Sequence, residues 1–201
     1  GELERAISIL DYYASASLDP QGETFPAAGS SLLFTTRTSY GVAGLITPWN
    51  FPLAIPIWKA APALACGNSV VMKPSEYATA TALKLGQLLN EVLPPGVLSI
   101  ITGYGEEGSQ VTAGSDIVSF TGSFATGTKV INKANEIKVP VQAEMGGSNS
   151  AIVFPDTDLD QFVTNLVTAS FSYSGQKCTA TRKVIAVGNN EFFNEVRRSE
   201  E

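Results

Sequence analysis

The chain has 201 residues, with 13 lysines and arginines against 19 aspartates and glutamates, a formal net charge of -6 and no histidine. Without histidine it can hold neither a Ser-His-Asp or Cys-His catalytic group nor a histidine-ligated metal centre. The acidic balance argues against a nucleic-acid-binding surface. Two cysteines, Cys66 and Cys178, are too few for a four-thiolate site. We therefore expect no metal, and acid–base chemistry would fall to carboxylates, lysine or tyrosine.

The composition, with 44% hydrophobic and 16% charged residues, is that of a globular protein. No apolar run approaches the roughly 18 residues of a membrane span, because the apolar stretch 53–66 contains Pro56, Lys59 and Pro62. We expect no secretory signal, a reduced cytoplasmic setting, and neither membrane nor nucleic-acid partners.

Apolar periodicity predicts helices and strands that alternate along the chain. Helical spacing predicts helices at 2–16, 56–65, 78–92, 125–134, 159–173 and 190–201. Short β-branched runs predict strands at 32–38 (an exposed strand or arm), 42–47, 69–72, 97–102, 117–120, 139–144, 151–154 and 183–187. This alternation predicts an α/β fold, a Rossmann-like parallel sheet with helices on both faces. Ligands of such sheets bind at the carboxyl ends of the strands.

A glycine-rich loop at 103–108 matches the dinucleotide fingerprint G-x-G-x-x-G directly after a predicted strand. The fingerprint also requires an acid about 20 residues further on, and positions 125–132 contain none. Glu106 and Glu107 within the loop would repel a pyrophosphate, so a plain turn is favoured. Residues 120–123, which end a strand and open a helix, are a better phosphate site, although a simple helix cap fits them equally well.

Three further places carry candidate chemistry. Cys178 lies in a polar loop beside Lys177, and a neighbouring cation favours the nucleophilic thiolate. The alternative is a small buried side chain, which its polar neighbours make less favourable. Cys66 lies on an apolar helix, so we place it in the core. Glu144 ends a strand before two glycines and is the leading general base, with a turn cap as the alternative. Asn50 lies between two prolines, where its amide could stabilise an oxyanion.

Lys73 and Glu76 follow another predicted strand. They could hold ribose hydroxyls, one donating and one accepting. For these two residues a solvated edge is the alternative.

Taken together, five segments resemble the aldehyde dehydrogenase superfamily in their order and approximate spacing. They are Pro48-Trp49-Asn50-Phe51-Pro52, Lys73-Pro74-Ser75-Glu76, Phe120-Thr121-Gly122-Ser123, Glu144-Met145-Gly146-Gly147 and Gly175-Gln176-Lys177-Cys178-Thr179-Ala180. The resemblance covers nearly the whole chain. It implies a NAD(P)-dependent, non-acylating enzyme that oxidises a small-molecule aldehyde to a carboxylic acid through a cysteine thiohemiacetal and thioester.

The resemblance also implies a role for each candidate residue. Cys178 would be the nucleophile, the Asn50 amide and the Cys178 backbone N–H would hold the oxyanion, and Glu144 would activate water. NAD or NADP would be the cofactor, with NAD favoured because Glu76 would repel a 2′-phosphate. The implied cofactor-binding residues are Ile46, Thr47, Pro48, Trp49, Lys73, Ser75, Glu76, Gly103, Gly105, Phe120, Thr121, Gly122, Ser123, Met145 and Gly146.

The domain organisation implied by the resemblance is incomplete at both ends, since family members are more than twice as long. Residues 1–31 would form a helical part of the cofactor domain, and 32–40 an oligomerisation arm. Residues 41–145 would form the NAD(P)-binding domain, and 146–201 the start of the catalytic domain. We expect a homodimer or homotetramer for the full-length enzyme and an inactive fragment for this chain alone.

The surroundings of Cys178 are similar to those in enzymes acting on semialdehydes and short polar aldehydes, such as 2,5-dioxopentanoate dehydrogenases. Two alternatives stay open. A short paralogue would bind nucleotide or a partner without catalysis. An acylating enzyme would pass the acyl group to coenzyme A, but Glu144 argues against it because such enzymes lack that base.

Overall fold

A computed structural model describes residues 1–19 and 22–188 of the chain. The chain divides into two units, Gly1–Glu144 and Met145–Glu201. Within the described ranges, no helix has both the length and the apolar character that a membrane crossing demands.

The first unit begins with a helix and a small hairpin. Helix α1 is Glu2–Ala16, as predicted. Strand β1, Thr24–Phe25, pairs antiparallel with β2, Leu33–Phe34, and all four strand residues are exposed. The predicted strand at 32–38 is therefore only two residues long. Its partner β1 has no sequence signal, because a two-residue strand shows no periodicity.

A five-stranded sheet forms the centre of the first unit. Its strands are β3 (Val42–Thr47), β4 (Ser69–Pro74), β5 (Leu98–Ile100), β6 (Ile117–Gly122) and β7 (Val141–Met145). They lie in the order β5-β4-β3-β6-β7, and β3 runs parallel to both β4 and β6. The predicted parallel α/β sheet is thus confirmed.

Helices connect and cover these strands. They are α2 (Ala54–Ala65), α3 (Thr79–Asn90), α4 (Gly105–Ala113) and α5 (Phe124–Glu136). Parallel strands buried under helices on both faces have continuous apolar sequences rather than alternating ones, which β3 and β4 illustrate. The main core cluster consists of Ala43, Leu45, Ala60, Val70, Met72 and Leu98.

The strand order creates a switch point between β3 and β6. The chain builds outward from β3 through β4 to β5, and then returns to add β6 and β7 on the other side. In open α/β sheets, ligands bind in the crevice at the carboxyl ends of the strands at such a point. The strand ends at Thr47 and Gly122 therefore lie where a ligand of this sheet is expected to bind.

The second unit has its own pair of parallel strands, β8 (Asn149–Val153) and β9 (Thr181–Ala186), with α6 (Leu159–Phe171) between them in sequence. Asp158 caps α6, its Oδ1 accepting a hydrogen bond from the Gln161 N–H at 3.1 Å. A 3-10 turn, Ser172–Gly175, ends the helix before the predicted limit at 173. The helix predicted for 190–201 lies outside the described residues.

Two of the sequence-based expectations are wrong. Cys66 is exposed and not part of the core. It is the C-cap of α2, where the chain turns away through Gly67 at a φ of 79°. The loop at 103–108 is not a plain turn, since α4 begins at Gly105.

Candidate functional site

The carboxyl end of β4 presents a buried cation beside an acid. Lys73 is 6% exposed, and its Nζ lies 3.6 Å from Glu76 Oε2. Ser75 orders the chain between them, because its Oγ accepts a hydrogen bond from the Tyr77 N–H at 3.3 Å and caps a short 3-10 turn. The predicted ribose-binding pair is therefore held at one strand end, with a donor and an acceptor side by side.

The glycine-rich loop before α4 is filled by its own glutamate. Glu107 Oε2 accepts a hydrogen bond from the Tyr104 N–H at 2.7 Å. A Cβ atom on Gly103 would lie 2.5 Å from the Glu107 carboxyl carbon. The backbone N–H groups of Glu107 and Tyr104 lower the pKa of this carboxyl, and the charge of Lys73 adds to the effect. A carboxylate thus stands where an ordinary fingerprint receives a pyrophosphate. Cofactor contacts of Gly103 and Gly105 stay a prediction.

The junction of β6 and α5 has the strand–glycine–serine–helix geometry that the sequence indicates. Ser123 is the N-cap of α5, and its Oγ accepts a hydrogen bond from the Thr126 N–H at 3.2 Å. A Cβ atom on Gly122 would lie 2.6 Å from the Phe120 ring, so a larger residue would have to displace that buried ring. Ser123 is therefore a cap, and its second role as a phosphate ligand stays a prediction.

The end of β3 holds a buried hydroxyl group. Thr47 is 3% exposed, and within residues 1–19 and 22–188 its Oγ1 has no hydrogen-bond partner. Leaving a buried donor unsatisfied costs about 1 to 3 kcal/mol. Thr47 ends β3, Lys73 lies one residue before the end of β4, and Ser123 follows β6 directly, and both β4 and β6 run parallel to β3. This set fits a ligand with hydroxyl and anionic groups, as the nucleotide implied by the sequence resemblance has.

A buried lysine also lies under β6, and the sequence motifs do not reveal it. Lys59 on α2 is 8% exposed, and its Nζ donates to Ser119 Oγ at 2.7 Å and to the Phe120 carbonyl at 3.2 Å. Burial lowers the pKa of Lys59 to about 8, and the negative charge of Glu144 opposes this shift. The available signal is a single cation in the otherwise apolar helix α2.

Glu144 lies on the same face of β7 as Gln142, because strand residues two apart point the same way. Gln142 Oε1 accepts a hydrogen bond from Ser119 Oγ at 2.7 Å, and Ser119 also accepts from Lys59. Glu144 itself is exposed. An exposed carboxylate is accessible to water, as the predicted general base requires.

The loop of Cys178 belongs to the second unit. Cys178 is exposed and follows Lys177 in a turn closed by a hydrogen bond from the Ala180 N–H to the Lys177 carbonyl at 3.2 Å. Lys177 Nζ donates to Ser172 Oγ and lies 5.8 Å from the centre of the Tyr173 ring. The thiol is thus presented to solvent on a hydrogen-bonded turn.

The predicted site residues fall into two groups. The cofactor residues Ile46 to Glu76 and Gly103 to Ser123, with Asn50 and Glu144, belong to the first unit. Cys178, Met145 and Gly146 belong to the second. Among the described residues, no cluster of three or more cysteines, aspartates or glutamates could hold a metal ion.

Comparisons with known proteins agree with this architecture. The model of the Aldehyde dehydrogenase family matches residues 1–196. The alpha-ketoglutaric semialdehyde dehydrogenase of Bacillus subtilis (strain 168) is 44% identical over 191 residues, which cover 92% of this chain and 39% of that protein. The chloroplastic betaine aldehyde dehydrogenase of Beta vulgaris is 49% identical over 153 residues, or 74% of this chain and 31% of that protein.

A solved structure is similar as well. The crystal structure of betaine aldehyde dehydrogenase from Staphylococcus aureus in complex with NAD+ superposes with a TM-score of 0.92 at 30% identity. The match covers 98% of this chain and 40% of that one. The chain therefore spans less than half the length of these relatives.

Proposed function

Because the chain belongs to the aldehyde dehydrogenase family, we propose that it carries the nucleophile and most of the cofactor site of an enzyme that oxidises an aldehyde to a carboxylic acid. The 44% identity to a semialdehyde dehydrogenase over 92% of the chain carries this proposal. The exposed Cys178, on a hydrogen-bonded turn, supports it.

Cys178 starts the reaction as the nucleophile. Its Sγ forms a bond to the aldehyde carbon, and the electron pair of the C=O bond moves to the oxygen. The Asn50 amide and the Cys178 backbone N–H donate to that oxygen and stabilise the oxyanion of the thiohemiacetal. One donor of this kind contributes about 10²-fold to 10³-fold to the rate.

Oxidation then takes place at the carbon bound to Cys178. A nicotinamide cofactor, when bound, would supply the acceptor for the hydride that leaves this carbon, and a thioester would remain on the Cys178 sulfur. Lys73 and Glu76 would hold the adenosine ribose, and Ser123 would hold the pyrophosphate together with the Thr47 hydroxyl. Glu76 favours NAD over NADP, and the NAD+ complex of the Staphylococcus aureus relative supports the same choice.

Glu144 completes the cycle as general base. It takes a proton from a water molecule, whose oxygen attacks the thioester carbon. The C–S bond breaks, the carboxylic acid leaves, and the Cys178 thiolate is regenerated. Burial lowers the pKa of Lys59 to about 8, and the negative charge of Glu144 opposes this shift. The pKa of Lys59 would therefore fall further when Glu144 gains the proton.

The proposed substrate is a semialdehyde, with 2,5-dioxopentanoate (alpha-ketoglutaric semialdehyde) first among the candidates. Support comes from the Bacillus subtilis relative and from the polar residues around Cys178. In line with the family resemblance, we also propose that the full-length enzyme is a homodimer or homotetramer.

Burst kinetics test the proposal on the gene product that carries this sequence. With NAD+ and alpha-ketoglutaric semialdehyde, Glu144→Gln should release about one NADH per site and then stall, because acylation survives and deacylation fails. Cys178→Ser should give no burst, while Cys66→Ser, the matched cysteine control, should behave like the wild type. Full turnover in Cys178→Ser would refute the proposal.

Two further outcomes identify the alternatives. Nucleotide binding without NADH formation from any aldehyde would favour a non-catalytic binding protein. Formation of an acyl-coenzyme A in place of the acid would favour an acylating enzyme.

A further inference from the structure

Two side chains from outside the loop that carries Cys178 donate hydrogen bonds to the backbone of this loop. Asn149 Nδ2 donates to the Cys178 carbonyl oxygen at 2.6 Å and to the Ala180 carbonyl oxygen at 3.1 Å. Arg182 Nη2 donates to the Gly175 carbonyl oxygen at 3.2 Å. The two donors therefore hold the beginning and the end of the loop.

A β-bulge explains why both side chains lie at this loop. Strands β8 and β9 pair Asn149 with Thr181 and then Ser150 with Lys183, so Arg182 is an extra residue on β9. An extra residue bends its strand and re-aims its side chain, and bulges are frequent next to active sites. Here the bulged residue is Arg182 itself, and Asn149 belongs to the residue pair directly before it.

The backbone before the loop is in a conformation that needs such support. Tyr173 and Ser174 have φ angles of 58° and 55°, and Gly175 follows at 69°. Left-handed conformations are unfavourable for residues with a Cβ atom, and they persist where the surroundings over-determine them. The bond from Lys177 Nζ to Ser172 Oγ is one such restraint. A strained segment held by several polar contacts is typical of a functional site.

We infer that Asn149 and Arg182 are positioning residues for the Cys178 nucleophile, an inference that rests on the proposed function. Both bonds of Asn149 use carbonyl groups, so neither competes for the Cys178 N–H, which donates to the oxyanion in the proposed reaction. The Cys178 carbonyl belongs to the turn that sets the direction of the thiol. A nucleophile misplaced by about 1 Å can react about 100-fold more slowly.

Two substitutions of Asn149 separate hydrogen bonding from shape. Asn149→Asp keeps the size of the side chain but removes both donor hydrogens, and Asn149→Ala removes the whole amide. In the gene product that carries this sequence, kcat should fall about 10-fold to 100-fold in both, with KM for the aldehyde within about threefold. Arg182→Ala should lower kcat in the same way. Ser148→Ala and Lys183→Ala, at exposed neighbours, are the matched controls and should keep the wild-type kcat.

Amide hydrogen exchange measures the loop without relying on turnover. Exchange of the peptide 175–182 should become at least about tenfold faster in Asn149→Asp and Arg182→Ala, and stay unchanged in Ser148→Ala. Wild-type exchange in Asn149→Asp would overturn the inference, and so would a loosened loop with normal kcat. Arg182→Ala decides the matter if the Asn149 variants fail to fold.

The Cys178→Ser variant distinguishes the two possible failures. If it keeps its turnover, the proposed function is refuted, and the inference falls with it. If it loses turnover while Asn149→Asp and Arg182→Ala stay normal, the inference alone is wrong.

Discussion

The buried amine of Lys59 makes the stability of the chain depend on pH in a predictable direction. Lys59 is 8% exposed, and burial lowers its pKa from 10.5 to about 8. Between these values the unfolded chain keeps the proton and the folded chain releases it. Because the unfolded state binds more protons, the free energy of unfolding rises with pH across this window.

The size of this effect follows from the two pKa values. Each pKa unit corresponds to about 1.4 kcal/mol, so the charged amine weakens the folded state by about 3 kcal/mol at neutral pH. Of this, about 2 kcal/mol should be recovered between pH 7 and pH 10. Well above pH 10.5 the amine is neutral in both states, and Lys59 no longer makes the stability depend on pH.

Denaturant unfolding followed by circular dichroism can isolate this contribution. The wild type and Lys59→Met are unfolded in urea at pH 7, 8, 9 and 10. In the difference between their free energies of unfolding, the contributions of all other titrating groups cancel. Between pH 7 and pH 10, the free energy of unfolding of the wild type should rise by about 2 kcal/mol relative to that of Lys59→Met. In Glu144→Gln the rise should begin at lower pH, because the charge of Glu144 raises the pKa of Lys59. Parallel curves for the wild type and Lys59→Met would refute the reasoning.

Three other substitutions test the packing, a cap and a turn by the same unfolding measurement. Met72→Ala, at a fully buried position, should lower the free energy of unfolding by about 2 to 5 kcal/mol. The matched change Leu88→Ala, at a half-exposed position, should cost much less, and equal losses would contradict the core assignment. Ser123→Ala should cost about 1 kcal/mol through the lost cap of α5; no loss would mean that the cap does not form. Gly175→Ala should cost more than about 1 kcal/mol, because φ is 69° and the added Cβ would lie 3.0 Å from the Ser170 carbonyl. A neutral result would exclude the left-handed conformation.

Periodic signals predicted most of the fold because each is local. The apolar run of β4 and the helical spacing of α3 each arise within a single element, and the strand–helix alternation follows from their order. Strand β1 of the hairpin has no such signal, since it is only two residues long and both of them are exposed. Helix α4 was obscured because Gly105 opens it, and glycine is a poor helix former.

The residues proposed for the site have local sequence signals, but the contacts that support them have none. Cys178 and Glu144 have polar and glycine-rich neighbours in the sequence, which indicate a site at these positions. Asn149 donates to Cys178 across 29 positions of the chain, and Lys59 reaches β6 across 60. Contacts of this length depend on sheet register, and the bulge at Arg182 depends on it as well. Cys66 shows the converse error, since its apolar neighbours do not reveal that it caps the end of a helix.

The central claim is that a covalent intermediate forms on Cys178, and mass spectrometry can detect this intermediate directly. Glu144→Gln in the gene product that carries this sequence is mixed with NAD+ and alpha-ketoglutaric semialdehyde, quenched in acid and digested for mass spectrometry. The account predicts an added acyl group on the peptide that contains Cys178, formed only when NAD+ is present. An unmodified Cys178 peptide after an NADH burst, or an acyl group on the Cys66 peptide instead, would contradict it.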